Sequence, residues 1–401
     1  MPLRILYLHP AAGFGGASKS LIELFTHIHS SGVEGDILTP RGTASDEFAD
    51  TGMSVTRVPG LSQFDNTLYG RYRRLRWLIL LRELWFLPWS LVALWRLRKQ
   101  PYDLIHANEI TLLPLAIIAK AIIGVPLVVH VRSVQSAPRD TLRSRWINGL
   151  LAQHADAVVA IDHTVARTLD QRLAVSIVHN SISVPADAGN DSETPRSGPI
   201  RLGIFGVLIP AKGVRELVEA VRIVRDQGVE VECWIAGENA RSLSGPKAWL
   251  LKQFGFARDV RSELELVVER HGLQREVKFL GLVKDIRSLY QQIDVLCFPS
   301  HLNAAGRPVF EAALFGVPSI VAIRDPLPDA ILHEETGLAI RGPRPELIAD
   351  AILRFARDEP LRARLGRQAK VWAGSLFSLE QSAKALQAVY ADVLSRRKKR
   401  I

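Results

Sequence analysis

Short apolar runs alternate along this chain with longer segments in which apolar residues recur every three or four positions. The first run, Leu3–Leu8, precedes a glycine loop and a helical pattern that starts at Ala17. Further strands are predicted over 102–106, 127–131, 157–161 and 176–179, and a helix over 112–123. Because strands alternate with helices, we expect an α/β fold with a mainly parallel sheet that is covered on both faces.

A second series of the same kind follows a change in composition. Residues 185–199 contain no large apolar side chain, which is typical of a linker. Strands are then predicted over 200–208, 229–236, 277–280, 295–298 and 319–322, and amphipathic helices from Gly213, over 347–355 and over about 380–395. We therefore predict an N-terminal domain (1–185), a linker (186–199), a C-terminal domain (200–375), and a C-terminal helix with a basic tail (376–401).

Length and composition agree with two globular domains. The chain has 401 residues, too many for one ordinary core, and 47% of them are hydrophobic while 23% are charged. Cys233 and Cys297 lie in apolar runs, so we interpret them as buried strand residues in a reducing compartment and expect a cytoplasmic protein. Met1–His9 already has the pattern of a buried strand, and no secretory signal is apparent.

The net charge of +10 is concentrated in one tryptophan-rich segment. Residues Leu68–Lys99 contain eight Lys and Arg against the single Glu83, and they hold four of the eight tryptophans. This composition suits the headgroup region of an anionic membrane, and a helix packed on its own domain with a basic face is the alternative. The uncharged part, Leu84–Trp95, is too short to span a bilayer, and we expect Pro88 to break the segment. No sequence signature supports nucleic-acid binding.

The strongest candidate site lies between Asp294 and Pro318. An apolar run ends in Pro299-Ser300, a short loop follows, and a helix then begins with Glu311 near its start. Backbone N–H groups and a carboxylate would thus stand at the carboxyl end of a strand, where open α/β sheets bind ligands. This layout favours a phosphorylated sugar carrier as the ligand.

The chain resembles the retaining glycosyltransferases of family 4, which have the GT-B fold of two Rossmann-like domains that face each other across a cleft. The resemblance rests on Gly-Val-Leu-Ile-Pro-Ala-Lys-Gly-Val (206–214), Trp-Ile-Ala-Gly-Glu-Asn (234–239), Val-Lys-Phe-Leu-Gly-Leu-Val (277–283), Asp-Val-Leu-Cys-Phe-Pro-Ser (294–300), Gly-Arg-Pro-Val-Phe-Glu-Ala (306–312), Gly-Val-Pro (316–318) and Glu-Thr-Gly-Leu (335–338). It implies an enzyme that moves a sugar from a nucleoside diphosphate to a hydroxyl acceptor, with retention of anomeric configuration. The nucleotide sugar would be a substrate, with no separate cofactor.

The resemblance also implies roles for residues of the C-terminal domain. Lys212 would stabilise the negative charge that develops on the leaving diphosphate, and a surface lysine at a helix start is the alternative. Glu311 would accept hydrogen bonds from the ribose hydroxyls. Gly306 and Arg307 would offer backbone N–H groups to the diphosphate. Val283 would lie against the base, with a core residue at a strand end as the alternative.

In the N-terminal domain the resemblance points to two further places. Gly15 and Gly16 match a glycine loop where backbone approaches the donor and the acceptor closely. Arg132 occupies the place where the family often has a histidine near the donor sugar, and His130 precedes it by two positions. Strand alternation would put both side chains on one face, and a structural role for either residue is the alternative.

Two departures keep other functions open. The family motif has two glutamates eight positions apart, and Asn303 stands at the first of these positions, where it can still hydrogen-bond a sugar hydroxyl. Val207 stands where the family usually has an arginine beside the diphosphate, and Arg307 is a candidate to compensate for this loss. These departures leave open a non-catalytic nucleotide-sugar-binding or scaffold protein, and the shared architecture leaves open a sugar-nucleotide epimerase.

The leading interpretation remains a metal-independent transferase. The chain contains no Asp-x-Asp pair, and no metal site is expected. The basic, tryptophan-rich segment favours a lipid-linked or polysaccharide acceptor, handled by a protein that associates peripherally with the inner face of the membrane.

Overall fold

The computed structural model describes residues 2–68, 70, 77–136, 141–182, 198–239, 259–283 and 285–398. They form two compact units, the first built from Met1–Ser183 together with Phe377–Ile401 and the second from Val184–Leu376. Most of the predicted linker, the four arginines over 71–76 and most of the polar insertion over 241–261 lie outside the described residues.

The first unit is a seven-stranded sheet with helices on both faces. Its strands are β1 (Leu3–Leu8), β2 (Val33–Pro40), β3 (Ser54–Val58), β4 (Leu104–Ala107), β5 (Leu127–Val131), β6 (Ala157–Ala160) and β7 (Val175–Ile177). Its first helices are α1 (Gly16–His29), α2 (Thr43–Ala49), α3 (Ile79–Leu97), α4 (Leu113–Ile123), α5 (Leu142–His154) and α6 (His163–Ala166). Neighbouring strands pair in parallel in the order β3-β2-β1-β4-β5-β6-β7. The central strands are buried on both faces, which explains why they are continuous apolar runs in the sequence.

The second unit is a six-stranded sheet of the same kind. Its strands are β8 (Ile200–Phe205), β9 (Val231–Ala236), β10 (Val277–Gly281), β11 (Val295–Phe298), β12 (Ser319–Ala322) and β13 (Gly337–Ile340). Its helices are α7 (Val214–Asp226), α8 (Val260–Arg270), α9 (Arg287–Tyr290), α10 (Arg307–Leu314), α11 (Pro345–Arg357) and α12 (Glu359–Leu376). The strands pair in parallel in the order β10-β9-β8-β11-β12-β13. The doubly wound α/β fold predicted from the sequence is therefore confirmed in both units.

In each sheet the direction of winding reverses once. The reversal falls between β1 and β4 in the first unit and between β8 and β11 in the second. Loops that leave the carboxyl ends of two such strands diverge to opposite faces of the sheet and leave a crevice between them. The predicted site residues of each unit follow, for the most part, the strands at these two points.

The last helix, α13 (Leu379–Lys398), belongs to the first unit. Ala383, Leu386, Tyr390 and Val393 lie on one face of α13 and are buried in the core that α1 and β1 also form. The expectation that the C-terminal helix returns to the N-terminal domain is confirmed.

The prediction that Pro88 breaks the tryptophan-rich segment is wrong, because α3 continues through this residue. A proline inside a helix removes the hydrogen bond to the carbonyl four residues earlier, here that of Leu84. Leu84 lies on the exposed side of the helix, where water can reach this carbonyl. Among the described residues, no helix combines the length and the apolar character needed to cross a bilayer.

Candidate functional site

Two loops meet at the winding reversal of the second unit. The first follows β8 and ends in a single 3-10 turn, Pro210–Lys212. The second follows β11 and leads into α10. The carbonyl of Ala211 accepts hydrogen bonds from the backbone N–H of His301 at 2.9 Å and from Ser300 Oγ at 3.1 Å. These contacts fix the turn that carries Lys212 against the start of the second loop.

Gly213 makes this close approach possible. Its φ of +71° lies in the left-handed region, which favours glycine. A Cβ atom at this position would stand 1.9 Å from the carbonyl oxygen of Pro299. The residue after Lys212 is therefore a glycine for two independent reasons, conformation and contact.

Lys212 is a cation in a mainly apolar setting. Its Nζ lies 4.4 Å from the centroid of the Phe298 ring, a distance typical of a cation–π contact. Burial lowers the pKa of Lys212 to about 8, since the charged form loses hydration. No carboxylate of the described residues forms an ion pair with it. A desolvated ammonium group that no carboxylate of the described residues neutralises is a candidate anion-binding group.

Gly306 packs against Phe298, the aromatic ring that Lys212 also contacts. A Cβ atom at Gly306 would stand 2.4 Å from Cζ of Phe298, so the glycine permits close packing there. Gly306 is the N-cap of α10, with Pro308 in the first turn. The side-chain-free N-cap leaves the positive end of the helix accessible to a ligand. Phe298 thus brings the ammonium group of Lys212 and the start of α10 together.

Glu311 lies one turn into α10 and is largely buried. Its Oε1 accepts a hydrogen bond from Arg307 Nε at 2.8 Å, and its Oε2 accepts one from Tyr290 Oη at 2.8 Å. The predicted ribose-binding carboxylate is therefore held by two neighbours, and the side chain of Arg307 points to Glu311. Nothing in the sequence pattern indicated the contact with Tyr290.

The other predicted residues of the second unit lie on nearby loops. Asn303 has a left-handed backbone (φ +53°), and its Oδ1 accepts from the backbone N–H of Arg324 at 2.6 Å. Val207 lies two residues after β8 and is exposed, with no cation in its place. Val283 is half-buried and follows β10. Asn303 therefore stabilises a loop through its carbonyl oxygen.

In the first unit, Gly15 and Gly16 begin α1 at the carboxyl end of β1. Gly15 is the N-cap of the helix and has an extended backbone with φ of −161°, which any residue adopts. A Cβ atom at Gly15 would have no neighbour within 4 Å among the described residues. Neither backbone strain nor a contact with another described residue explains this glycine, whereas close approach by a ligand would.

A buried network of polar side chains lies beside this loop. Arg132 Nε donates to Asn108 Oδ1 at 2.8 Å, and Asn108 Nδ2 is 3.0 Å from His9 Nδ1. Because a guanidinium group only donates, Asn108 must turn its amide N–H toward His9. His9 Nδ1 is then the acceptor, and His9 Nε2–H donates to Ser18 Oγ at 3.0 Å.

The network fixes both a charge and a tautomer. Burial and the neighbouring Arg132 lower the pKa of His9 to about 3, so the ring is neutral at physiological pH. Arg132 also donates to Asn180 Oδ1 at 2.7 Å. The guanidinium group is thereby held in one orientation at the end of β5.

His130 and Arg132 lie side by side, with Arg132 Nη2 3.3 Å from His130 Nδ1. His130 is 1% exposed, and burial lowers its pKa well below its usual range. The buried His130 ring packs against Arg132 from the interior of the unit, whereas Arg132 is half-buried at the carboxyl end of β5. Of the two candidates, Arg132 is therefore the one placed to contact a ligand.

Sequence reasoning missed His9, Asn108, Tyr290 and Phe298. His9 and Asn108 each directly follow a buried strand, and this position was a signal that could have been used. Tyr290 and Phe298 lie within apolar patterns that predict only core positions. Their polar or aromatic roles appear once the fold is known.

Two parallel sheets of Rossmann type, each with glycine-containing loops at its winding reversal, are the architecture of the GT-B fold. Residues 190–372 match the family described as glycosyl transferases group 1, and residues 15–179 match the glycosyl transferase 4-like domain. The two models together cover most of the chain, which is a GT-B glycosyltransferase, an enzyme that transfers a sugar from a nucleotide sugar. The nucleotide sugar is a substrate of this family and not a cofactor.

Three comparisons illustrate how far the similarity extends. The D-inositol 3-phosphate glycosyltransferase of Corynebacterium glutamicum is 25% identical over 95% of this chain and 92% of its own length. The glycogen synthase of Mycobacterium tuberculosis is 24% identical over 72% of this chain and 68% of its own length. The crystal structure of Anabaena Alr3699/HepE in complex with UDP and glucose has a TM-score of 0.74, with 20% identity over 97% of this chain and 99% of that one.

Proposed function

We propose that this glycosyltransferase uses a uridine diphosphate hexose of the glucose type as its donor. The new glycosidic bond would keep the anomeric configuration of the donor, and the acceptor would be a hydroxyl group of a lipid-linked or polysaccharide substrate. The uridine and the hexose are supported by the similarity to a protein whose structure contains UDP and glucose. A hydroxyl acceptor is supported by the similarity to the inositol phosphate glycosyltransferases.

One observation carries the assignment of the donor site: Lys212 and the N-terminus of α10 meet on the Phe298 ring. Transfer breaks the bond between the anomeric carbon and the diphosphate, and negative charge develops on the leaving oxygen. A preorganised ammonium group and backbone N–H groups stabilise this charge most strongly in a partly desolvated place. The acceptor oxygen forms the new bond to the anomeric carbon, and its proton is released.

The positions of the remaining site residues suggest which part of the donor or acceptor each of them contacts. Glu311 would bind the two ribose hydroxyls, and Val283 would pack against the base. Gly15 and Gly16 would admit the sugar and diphosphate close to the backbone of α1. Arg132, held by two amide oxygens, would contact a hydroxyl group of the transferred sugar or of the acceptor.

A donor panel tests this proposal. Purified protein is incubated with radiolabelled UDP-, GDP- and ADP-sugars and a membrane extract, and products are separated from donor. We expect incorporation of a hexose from its UDP form and greatly reduced incorporation with Lys212→Met. Interconversion of donor sugars without transfer, or a preference for a purine donor, would contradict the proposal.

We further propose that the outer face of α3 binds an anionic membrane surface. This helix has an unusual orientation, because Leu81, Leu84, Trp85 and Trp89 are exposed while the polar Ser90 is buried. An exposed apolar patch of this kind marks a contact surface. Arg96, Arg98 and Lys99 are exposed at its C-terminal end, and the guanidinium group of Arg98 lies 4.7 Å from the centroid of Trp95. Tryptophan beside cations favours the headgroup region of an anionic bilayer over a protein partner.

Vesicle sedimentation tests this surface. The chain should co-sediment with vesicles that contain phosphatidylglycerol and much less with neutral ones, and Leu81→Glu with Trp85→Glu should abolish the difference. Leu266→Glu with Val371→Glu is the matched control, since these exposed apolar residues lie on other helices. Equal sedimentation of both double variants would exclude α3 as the membrane-binding surface.

A further inference from the structure

We propose that Arg307 and Tyr290 position the carboxylate of Glu311, and that this clamp makes the enzyme select ribonucleotide over 2′-deoxyribonucleotide donors. The inference rests on the proposed role of Glu311 in ribose binding. It adds two specificity-determining residues that do not themselves contact the ribose.

The clamp holds one carboxylate from two sides. Arg307 Nε donates to Oε1 and Tyr290 Oη donates to Oε2, both at 2.8 Å. An ionised carboxylate has about four acceptor positions, so two bonds orient it without exhausting its capacity. A carboxylate fixed in one rotamer pays less conformational entropy when it binds the ribose hydroxyls.

Tyr290 is a rigid donor in this arrangement. Its ring makes an edge contact with Phe205, with centroids 5.2 Å apart, and stacks on Phe315 at 5.7 Å. Burial and the adjacent charge of Glu311 raise the pKa of Tyr290 well above its usual value. The phenol therefore keeps its proton at physiological pH and can only turn its O–H toward the carboxylate.

Arg307 occupies a position that local helix energetics disfavour. It is the first residue of α10, where the helix dipole repels a cation. Its pairing with Glu311 has arginine before glutamate, which is the weaker order for charges four residues apart. Its side chain is nevertheless only 11% exposed, and that of Glu311 only 10%. The pair thus differs from Arg222–Asp226 on α7, whose two side chains are 39% and 45% exposed.

Burial makes the pair interdependent. Removal of one partner of a buried ion pair leaves the other charge poorly compensated, whereas removal of a partner from an exposed pair changes little. Without Arg307, Glu311 would turn toward solvent or take up a proton. Either change would weaken its hydrogen bonds to the ribose without removing the diphosphate contacts at Lys212.

Nucleotide titration calorimetry tests the clamp. The measured quantity is the ratio of the dissociation constants of 2′-deoxyuridine diphosphate and uridine diphosphate. We expect the wild-type protein to prefer the ribonucleotide by about tenfold or more, because a site built for a hydroxyl rejects the analogue that lacks it. Glu311→Gln, Arg307→Leu and Tyr290→Phe should each bring the ratio to within about threefold of unity. Arg222→Leu should leave it unchanged.

The variants separate the two levels of the argument. If Glu311→Gln preserves the ratio, Glu311 does not bind the ribose, and the proposed function is wrong at this residue. If Glu311→Gln lowers the ratio but Arg307→Leu and Tyr290→Phe do not, the ribose contact stands and the clamp is refuted. Equal weakening of both nucleotides by Arg307→Leu would show a merely structural role and would also refute it. Arg307→Lys, which keeps the charge, should recover part of the ratio.

Discussion

The charge state of Lys212 should control how tightly the protein binds uridine diphosphate. Burial against Phe298 lowers the pKa of this lysine to about 8 in the donor-free protein. A bound diphosphate stabilises the charged form and raises the pKa again. Affinity should therefore be fully present below about pH 8 and should be lost as the pH rises through this value.

The magnitude follows from the protonated fraction. With a pKa of about 8, roughly nine-tenths of Lys212 is charged at about pH 7 and roughly one-tenth at about pH 9. The dissociation constant should thus rise about tenfold over this range, equivalent to about 1.4 kcal/mol. The phosphate groups contribute little to this change, because the second pKa of a phosphate monoester lies near 6.

Calorimetric titration of uridine diphosphate at several pH values measures this effect. Lys212→Arg provides the control, since a guanidinium group stays charged throughout the range and should give a flat profile. Lys212→Met should bind weakly at every pH, also with a flat profile. A tenfold change that persists in Lys212→Arg, or a flat profile in the wild-type protein, would refute the proposed role of Lys212.

Three further outcomes are expected. Gly213→Ala should lower the free energy of unfolding in urea by about 3 kcal/mol or more, because the new Cβ would meet the carbonyl of Pro299. Gly228 has a similar φ of +78° but open space around it, so Gly228→Ala should lower the free energy of unfolding by only about 1 kcal/mol. Equal losses in the two variants would contradict the contact argument. Burial lowers the pKa of His106 to about 3, so below about pH 6.5 the unfolded chain binds more protons than the folded protein, and the free energy of unfolding should fall with pH by about 1.4 kcal/mol per pH unit for this residue. His106→Gln should reduce this slope by one proton in acid titrations followed by circular dichroism. An unchanged slope would contradict the burial of His106. Arg132→Lys should lower kcat/KM about tenfold while the dissociation constant of uridine diphosphate stays unchanged. The reason is that lysine lacks the guanidinium group, whose several N–H donors bind Asn108 and Asn180 at once. A change in nucleotide binding alone would contradict a role of Arg132 at the sugar.

Much of the fold was predictable because parallel strands are buried on both faces. Strands β1, β5, β11 and β12 occur where their apolar runs stand in the sequence. The sequence patterns did not indicate β2, whose middle contains Gly35 and Asp36, or the short edge strands β3 and β13. Asp36 is tolerated in β2 because Tyr102 and Arg4 donate hydrogen bonds to its carboxylate. Such a contact between distant residues leaves no periodic signal.

The candidate site was predictable as far as it consists of short local patterns. Lys212, Gly306 and Glu311 each follow a strand at a recognisable spacing, and the fold places their loops at one reversal of winding. The contacts that tune them were not predictable, since Phe298 and Tyr290 appear in the sequence as ordinary core residues. Arg307 was expected to contribute its backbone to the diphosphate site and its charge in place of the arginine missing at Val207. The contact of its side chain with Glu311 emerged only from the packing of α10.

A crystal structure of the protein soaked with uridine diphosphate tests the central claim most directly. We expect the diphosphate within about 3 Å of Lys212 Nζ and of the first backbone N–H groups of α10, with the ribose hydroxyls on Glu311. Nucleotide density at another edge of the sheet, with Lys212 and Glu311 untouched, would contradict the account.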